Sequence, residues 1–389
     1  MDKILLNLKS EEVLLLELCR LSFKDVDKKN IEDRLRNISD WDYFLWLSNE
    51  HGIIAIAFFN LEKLGLLDTI PQNVQITLKE LYLKSLARNT FLTKKFIELQ
   101  KYLDQVNIKP LVLKGMALEP SIYGNIGLRQ MNDIDIYIDD KNKCFKAWKH
   151  LVDSGYVPKP LKSPLYKNIL TDFGKHLPDL YKDGISIDLH HTLFEKEHNI
   201  KTLNISPDTL EPNIPAFDIH FLFLAKHLDD HEQRGESQLR LYIDLLQILN
   251  KTFINITSSQ IFDLAQNLGL KKILLEKLFL LNLFWGIPVE KNIIRQLSEK
   301  QKVKVTNIFI AFLRNPKGSK VKNKGAGYRK TIRNIPTMRK KLIFLIGDIF
   351  PSVSFMQSRY NTKTRIGACI YYPLRLGKLL LLIKPVYIL

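Results

Sequence analysis

Residues 110–139 read PLVLKGMALEPSIYGNIGLRQMNDIDIYID, and this stretch decides the fold of the chain. Its first part predicts a short apolar strand that ends at Lys114 and Gly115, followed by a helix-prone turn. Its last part alternates apolar and polar residues with a period of two, which predicts a second strand. Asp133 and Asp135 share one face of that strand, while isoleucines occupy the other.

Two carboxylates on one strand face indicate a cation site. Like charges held close together repel, and the usual remedies are a shared proton or a hard divalent cation that takes oxygen ligands. Asp133 and Asp135 are therefore the first candidate metal ligands. A solvated strand face is the alternative interpretation of the same two residues.

A hairpin signal follows further along the chain. Asp183-Gly184 separates two apolar stretches, residues 177–182 and 185–191. Such a dipeptide predicts a type I′ turn, because that turn needs positive φ at both central positions. The two stretches are therefore predicted to pair as antiparallel strands.

Asp188 lies on the second hairpin strand, with His190 on the same face. If the hairpin continues the sheet that carries Asp133 and Asp135, three carboxylates converge on one solvent-facing site. In nucleotidyl transfer, carboxylates on rigid strands hold two divalent ions that clamp the attacking and leaving oxygens. Asp133 and Asp135 would bind the metals, while Asp188 would complete one metal site and help to deprotonate the attacking hydroxyl. The alternative is that Asp188 is a surface acid paired with His190 or His191.

Positive charge for a triphosphate is expected upstream of the acids. Lys114 and Arg129 would supply cations for phosphate oxygens. Gly115 would allow close backbone approach, and the helix start after it would offer free backbone N–H groups to an anion. Ordinary surface charges are the alternative interpretation of Lys114 and Arg129.

The apolar periodicity on both sides of these strands is helical. It predicts an α+β fold in which a small mixed sheet is flanked by an N-terminal and a C-terminal helical unit. The predicted units are residues 1–108 (N-terminal helices), 109–200 (α/β core), 201–314 (C-terminal helices) and 315–389 (basic tail with an amphipathic segment). The predicted helices cover residues 12–21, 41–47, 53–66, 74–103, 143–154, 216–228, 237–250, 258–268, 271–284, 290–297 and 301–312.

Composition narrows the class of protein. With 389 residues, 46% of them hydrophobic, the chain can bury a sizeable core. Cys19, Cys144 and Cys369 are far apart, so neither a disulfide framework nor a cysteine zinc site is expected, and a reducing, cytoplasmic setting fits. The N-terminus is not typical of a signal peptide, and the sequence has no apolar run long enough to predict a membrane span.

The net charge of +17 is concentrated in the tail. Residues 314–389 contain 17 Lys or Arg and one acid, whereas the other 313 residues contain 41 basic and 40 acidic side chains. Three interpretations remain open. Residues 320–341, with Tyr328, would follow nucleic-acid phosphates; residues 374–388 would form an amphipathic helix on the inner face of an anionic membrane; or the tail is solvated and packs back on the acidic cleft. The membrane surface is favoured over nucleic acid.

The motifs named so far together resemble a known family. LKGMAL at residues 113–118, LR at 128–129, DIDI at 133–136 and IDLHH at 187–191 are similar to the bacterial uncharacterised nucleotidyltransferase family of the polymerase-β-like superfamily. Further similar features are Trp46, His51-Gly52, His227, LRLYIDL at 239–245, FPS at 350–352 and YYP at 371–373, so that the resemblance covers nearly the whole chain.

The resemblance implies a nucleotidyltransferase-type sheet and a metal-dependent enzyme. That enzyme would transfer a nucleoside monophosphate from an NTP to an unknown hydroxyl or phosphate acceptor and release pyrophosphate, with Mg²⁺ or Mn²⁺ as cofactor. The resemblance also implies that His227, Arg240 and Asp244 form a polar inter-helix network facing the cleft, for which a purely structural network is the alternative. The implied nucleotide- and phosphate-binding residues are Lys114, Gly115, Arg129, His190, His227, Arg240 and Asp244.

The chain departs from the superfamily beside Gly115. A Gly-Ser or Gly-Gly pair usually precedes the acids there, whereas Met116 follows Gly115 in this chain and the distance to Asp133 is longer. A serine that would hold a phosphate is therefore missing. The second hypothesis is a catalytically inactive module that binds a nucleotide or polyanion.

Overall fold

Helices dominate the part of the chain that the computed structural model describes, namely residues 8–166, 175–194, 213–252, 259–316, 332–333, 335 and 337–383. Five α-helices precede the first strand within residues 8–110. They are α1 (Ser10–Glu17), α2 (Asp25–Leu35), α3 (Trp41–Glu50), α4 (Ile54–Lys63) and α5 (Gln72–Asp104).

A mixed sheet of five strands lies in the middle of the chain, with the strand order β1-β2-β5-β4-β3. β2 and β5 are parallel, and the other three pairs are antiparallel. The strands are β1 (Leu111–Val112), β2 (Ile134–Tyr137), β3 (Val157–Pro158), β4 (Leu180–Lys182) and β5 (Ile185–His190).

Among the described residues between β1 and β5, two α-helices accompany the strands. α6 (Lys114–Leu118) follows β1 and continues as a π-helical turn, Glu119–Tyr123. α7 (Lys141–Asp153) begins where the Asp140 carboxylate accepts a hydrogen bond from the Lys143 backbone N–H. Its buried residues Cys144, Ala147 and Leu151 belong to the apolar core beneath the sheet.

In the described residues after the sheet, six helices lie between residues 213 and 316, and four more form a C-terminal unit within residues 337–383. The first group is α8 (Phe217–Arg234), α9 (Leu239–Thr252), α10 (Ser259–Asn267), α11 (Lys271–Trp285), α12 (Lys291–Ile294) and α13 (Glu299–Arg314). The second group is α14 (Met338–Ile349), α15 (Val353–Tyr360), α16 (Arg365–Cys369) and α17 (Tyr371–Ile383). Among the described helices, none is long and apolar enough to cross a membrane.

Two hydrophobic cores organise the elements. The larger core combines α1 to α4 with α8, α9, α11 and α13, so the helices before and after the sheet pack together. The smaller core joins the apolar sheet face to α7 and to the last third of α5, through Leu92, Phe96, Leu99 and Leu103. Helix α5 therefore connects the two cores. The boundaries of the four units remain predictions from the sequence.

The predicted α+β fold and its small mixed sheet are confirmed. The hairpin is confirmed as β4 and β5, with positive φ at Asp183 (48°) and Gly184 (77°). Three elements were not predicted: α2, the short edge strand β3, and the helical form of residues 338–369. The predicted basic stretch with Tyr328 and the end of the predicted amphipathic segment, residues 384–388, lie outside the described residues.

Candidate active site

Asp135 and Asp188 meet because β2 and β5 are parallel neighbours. In their register Asp135 pairs with Asp188, and Tyr137 pairs with His190. One ligand atom each from Asp135, Asp188 and His190 lies within 4.8 Å of the others. The expectation of a solvent-facing site is wrong for Asp135, which is 2% exposed, because helix α8 lies over this face of the sheet.

Lys114 places a cation against the buried acid. Its ammonium Nζ lies 2.7 Å from Oδ1 of Asp135. The lysine sits at the start of α6 with a φ of 50°, in the left-handed region that non-glycine residues adopt rarely. Its backbone N–H donates to Nε2 of His220 on α8, at 3.1 Å. This N–H is therefore already engaged, which leaves one fewer free donor for an anion than the sequence suggested.

The pKa values of the three acids reveal how charge is balanced in the site. Burial alone would raise the pKa of Asp135, but the Lys114 ammonium and the hydrogen bond from His190 hold it well below its usual range. Burial, followed by the charge of Asp135, raises the pKa of Asp188 to about 7. The same two causes raise the pKa of Asp133. The cluster therefore holds more carboxylates than its one lysine neutralises.

His190 is a neutral imidazole within this cluster. Burial lowers its pKa to about 4. Its Nε2 lies 3.1 Å from Oδ1 of Asp135, whereas Nδ1 is buried and has no hydrogen-bond partner among the described residues. A neutral imidazole with an orphan nitrogen suits metal coordination better than phosphate binding.

The donor set fits a divalent cation. Two carboxylates and one imidazole converge, and the raised pKa of Asp188 marks a deficit of positive charge. Carboxylate oxygens suit Mg²⁺ and Mn²⁺, and an imidazole ligand favours Mn²⁺ over Mg²⁺.

Asp133 lies just before β2, at the edge of this cluster. It is partly exposed, and it is not one of the three residues whose ligand atoms lie within 4.8 Å of one another. Its pKa is nevertheless influenced by the charges of Asp135, Lys114 and Arg240, so its carboxylate shares their field. The structure thus brings Asp135 and Asp188 together and leaves Asp133 beside them.

Arg129 is held by a carboxylate rather than presented to solvent. Its Nε donates to Oδ1 of Asp244 at 2.9 Å and its Nη2 to Oδ2 at 2.7 Å, and both side chains are buried. The Tyr123 hydroxyl donates to the same Asp244 Oδ1 at 2.8 Å. Burial would lower the pKa of Arg129, but Asp244 outweighs burial and raises it. This pair fixes the loop before β2 onto α9.

Gly115 makes room for Arg129. A Cβ at this position would lie 2.3 Å from Nη1 of Arg129 and 2.7 Å from Cγ of Met131, and the glycine is buried. The space left by the missing side chain is therefore filled by these two residues and is not open to a triphosphate. The structure gives this glycine a packing reason that the sequence did not suggest.

Arg240 lies near Arg129 and, among the described residues, has no carboxylate partner. Its Nη1 donates to the Gln130 carbonyl at 2.5 Å and its Nη2 to Oε1 of Gln238 at 3.1 Å, and both acceptors are neutral. Its Nε has no partner, and no carboxylate lies within 4.0 Å of it, among the residues that the structure describes. Burial and then the charge of Arg129 lower its pKa to about 10, because this cation is poorly compensated.

His227 lies on α8, apart from the other two residues of the expected network. Its ring stacks on Phe223 at 6.3 Å and meets His231 at 4.5 Å. Within the described part of the chain, no hydrogen bond joins His227 to Arg240 or Asp244. Burial, followed by the charge of Lys114, lowers the pKa of His227, so the ring is neutral and lies within the electrostatic reach of the acidic cluster.

Asn89 was missed in the sequence and holds the loop that carries Arg129. Its amide nitrogen donates to the carbonyls of Ile126 (2.5 Å) and Arg129 (2.8 Å), and its oxygen accepts from the Met131 N–H (3.2 Å). The available signal was a polar residue on the apolar side of α5, three residues before the buried Leu92 and seven before the buried Phe96. A buried asparagine at such a place satisfies backbone groups of a neighbouring loop.

One comparison with known proteins gave a match. A family model described as "Uncharacterised nucleotidyltransferase" matches residues 37–286. That span includes the sheet, the acidic cluster, and helices α8 and α9 with Arg240 and Asp244. Neither the curated proteins nor the solved structures gave a match.

Proposed function

The chain belongs to the uncharacterised nucleotidyltransferase family, and from this premise we propose that it transfers a nucleoside monophosphate from an NTP to a hydroxyl or phosphate acceptor. In this reaction an acceptor oxygen forms a bond to the α-phosphorus, the bond to the β-phosphate oxygen breaks, and pyrophosphate leaves. The observation that carries the proposal is the register pair Asp135 and Asp188, with His190 beside it. A cytoplasmic location is part of the proposal.

Asp135 and Asp188 are proposed to hold a divalent cation, Mg²⁺ or Mn²⁺, with Asp133 at the open edge of the site. His190 is added to the metal ligands, because its ring nitrogen lies within the same 4.8 Å group. When bound, the cation would supply positive charge to phosphate oxygens and to the attacking oxygen. Asp188 is proposed to orient the attacking hydroxyl, since it is the less buried of the two paired acids.

Arg240 and Lys114 are proposed to receive the triphosphate. Arg240 has no carboxylate partner among the described residues, and its buried Nε has no hydrogen-bond partner there, so its positive charge is poorly compensated and would attract phosphate oxygens. Lys114 carries a second cation beside Asp135. Arg129 is proposed to act indirectly, because Asp244 already takes two of its donors.

Pyrophosphate release tests the activity. The protein is incubated with each NTP, with Mg²⁺ or Mn²⁺, and with cell extract as the source of acceptor. We expect release with the wild type and its loss in Asp135→Asn and in Asp188→Asn. Asp139→Asn is the matched control, because this aspartate follows the same strand but is 73% exposed. Release that persists in both cluster variants would contradict the proposed site.

A nucleotide-binding module without turnover is the second candidate. Lys114 already neutralises Asp135, and Gly115 is packed against Arg129, so this phosphate-binding region departs from the superfamily pattern. Calorimetry of Mg-NTP distinguishes the two candidates. A module binds the nucleotide but releases no pyrophosphate with any acceptor source. The enzyme binds the nucleotide and also releases pyrophosphate.

A further inference from the structure

Exposed apolar side chains are concentrated in the C-terminal helices. Among the described residues, nineteen large apolar side chains are exposed, and eight of them belong to residues 338–376. Soluble proteins expose single apolar side chains widely, but a concentration of them marks an interaction surface. The eight are Met338, Leu342, Ile346, Phe350, Ile366, Ile370, Leu374 and Leu376.

The exposed residues follow helical spacing and form two stripes. On α14, Met338, Leu342 and Ile346 recur every fourth residue and are 78%, 59% and 40% exposed, and Phe350 continues this spacing beyond the helix. The second stripe consists of Ile366, Ile370 and Leu374, with the same spacing, across α16 and the start of α17.

One side of the C-terminal unit already contacts the rest of the chain. Asp348 of α14 is 1% exposed and pairs with Lys162 of the α/β core and with Arg375 of α17, the latter at 3.3 Å. The Ser352 N–H donates to the Lys162 carbonyl at 2.9 Å, and Met356 is fully buried. The unit is therefore anchored to the rest of the chain by one side, and the two stripes are left outside that contact.

The exposed charged side chains of the C-terminal unit are all positive. Asp348 is the only acid in residues 314–389, and it is buried. Arg339, Arg359, Lys363 and Arg365 are exposed. The outer surface of α14 to α17 therefore presents cations beside apolar stripes, with no acidic side chain.

We infer that α14 to α17 bind the surface of an anionic lipid bilayer. The apolar stripes would enter the boundary between headgroups and acyl chains, and the exposed Arg and Lys would contact headgroup phosphates. Nucleic acid would satisfy the cations but would leave aliphatic stripes in water, since its single strands are bound by aromatic stacking. This inference rests on the C-terminal surface alone and is independent of the proposed activity.

Vesicle co-sedimentation of the full-length protein tests the inference. We expect binding to phosphatidylcholine vesicles that contain phosphatidylglycerol and none to phosphatidylcholine alone. Leu342→Gln combined with Ile370→Gln should weaken binding about tenfold or more, because one apolar contact is lost from each stripe. Ile76→Gln with Leu83→Gln is the matched control on α5, where the two side chains are 51% and 48% exposed. This control should bind as the wild type does.

A spectroscopic readout separates insertion from simple charge attraction. In a Phe350→Trp variant, the added fluorescence should shift to shorter wavelength with anionic vesicles only. Binding that is unchanged by the stripe substitutions would overturn the inference, as would an unshifted Trp. A stripe variant that loses self-association instead would assign the surface to a second copy of the chain. Displacement of the protein from vesicles by a single-stranded oligonucleotide, with stripe variants unaffected, would assign it to nucleic acid.

Discussion

Arg129 and Asp244 form a buried, bidentate ion pair that joins the loop before β2 to helix α9. Their side chains are 6% and 0% exposed, so neither charge has water as a substitute partner. The pair lies beside the acidic cluster. Because Asp133 and β2 follow Arg129 in the chain, the position of Arg129 on α9 helps to fix the position of Asp133 and the start of β2.

Removal of one partner from this pair should be costly. We expect Asp244→Ala to lower the free energy of unfolding by about 3–5 kcal/mol, because it leaves the Arg129 guanidinium buried and unpaired. Urea unfolding measures the loss. Asp139→Ala serves as the control, since Asp139 forms an exposed pair with Lys143, and it should change stability little. A small effect of Asp244→Ala would mean that Arg129 finds another anion or water.

A side chain at position 115 should displace Arg129 from its site. Gly115→Ala would place a Cβ 2.3 Å from Nη1 of Arg129, and we expect a loss of about 1–3 kcal/mol from overpacking. Gly377→Ala is the matched control, because Gly377 lies in a helix with no atom within 4 Å of the added Cβ. Thermal unfolding of both variants should show destabilisation for position 115 only.

The sequence predicted the strand positions of the acids, but it did not predict which residues surround them. Asp135 and Asp188 could be assigned to neighbouring strands because period-two alternation and an Asp-Gly turn are local signals. The pairing of Arg129 with Asp244 joins residues 115 positions apart and has no local signature. The role of Gly115 depends on the same pair, so it was equally hidden.

The elements that the sequence did not predict are short or have few buried residues, or lie in the basic tail. Helix α2 buries only Ile31 and Leu35 among eleven residues, so its apolar pattern is weak. Strand β3 has two residues, one of them Pro158, and proline demotes a strand signal. In the tail, the high density of Lys and Arg indicates a basic segment and obscures the apolar residues that recur at helical spacing within it.

Asp188→Asn should stabilise the protein in the absence of metal. The pKa of Asp188 is raised to about 7, so the folded state disfavours the charged carboxylate above that pH, while the unfolded chain does not. The gain should therefore be small below pH ~4, grow between pH ~4 and ~7, and level off above, at about 1–2 kcal/mol after allowance for partial exposure. Urea unfolding with a chelator present, at several pH values, measures it.

The ionisation of Asp188 that destabilises the metal-free protein should increase its affinity for a metal ion. A protonated Asp188 cannot ligate a cation, so the affinity for Mn²⁺ should rise by up to about tenfold per pH unit below 7 and level off above it. Calorimetry in buffers of different ionisation enthalpy should detect the released proton. In Asp188→Asn the affinity should be low and the pH dependence near 7 should disappear. A wild-type affinity that is flat from pH 5 to 8 would contradict the assignment of Asp188 as a ligand.

Arg240 should contribute to nucleotide binding through its uncompensated charge. We expect Arg240→Met to weaken Mg-NTP binding by about 10- to 100-fold, which corresponds to one or two lost charge-assisted hydrogen bonds. Arg240→Lys keeps the charge and should recover part of the affinity. Arg36→Met is the control, because Arg36 is 70% exposed and pairs with Glu32 on the surface. Calorimetry without acceptor gives the affinities, and urea unfolding identifies any loss of fold. If Arg240→Met binds nucleotide as tightly as the control, the triphosphate does not reach this guanidinium and Lys114 is the remaining cation of the site.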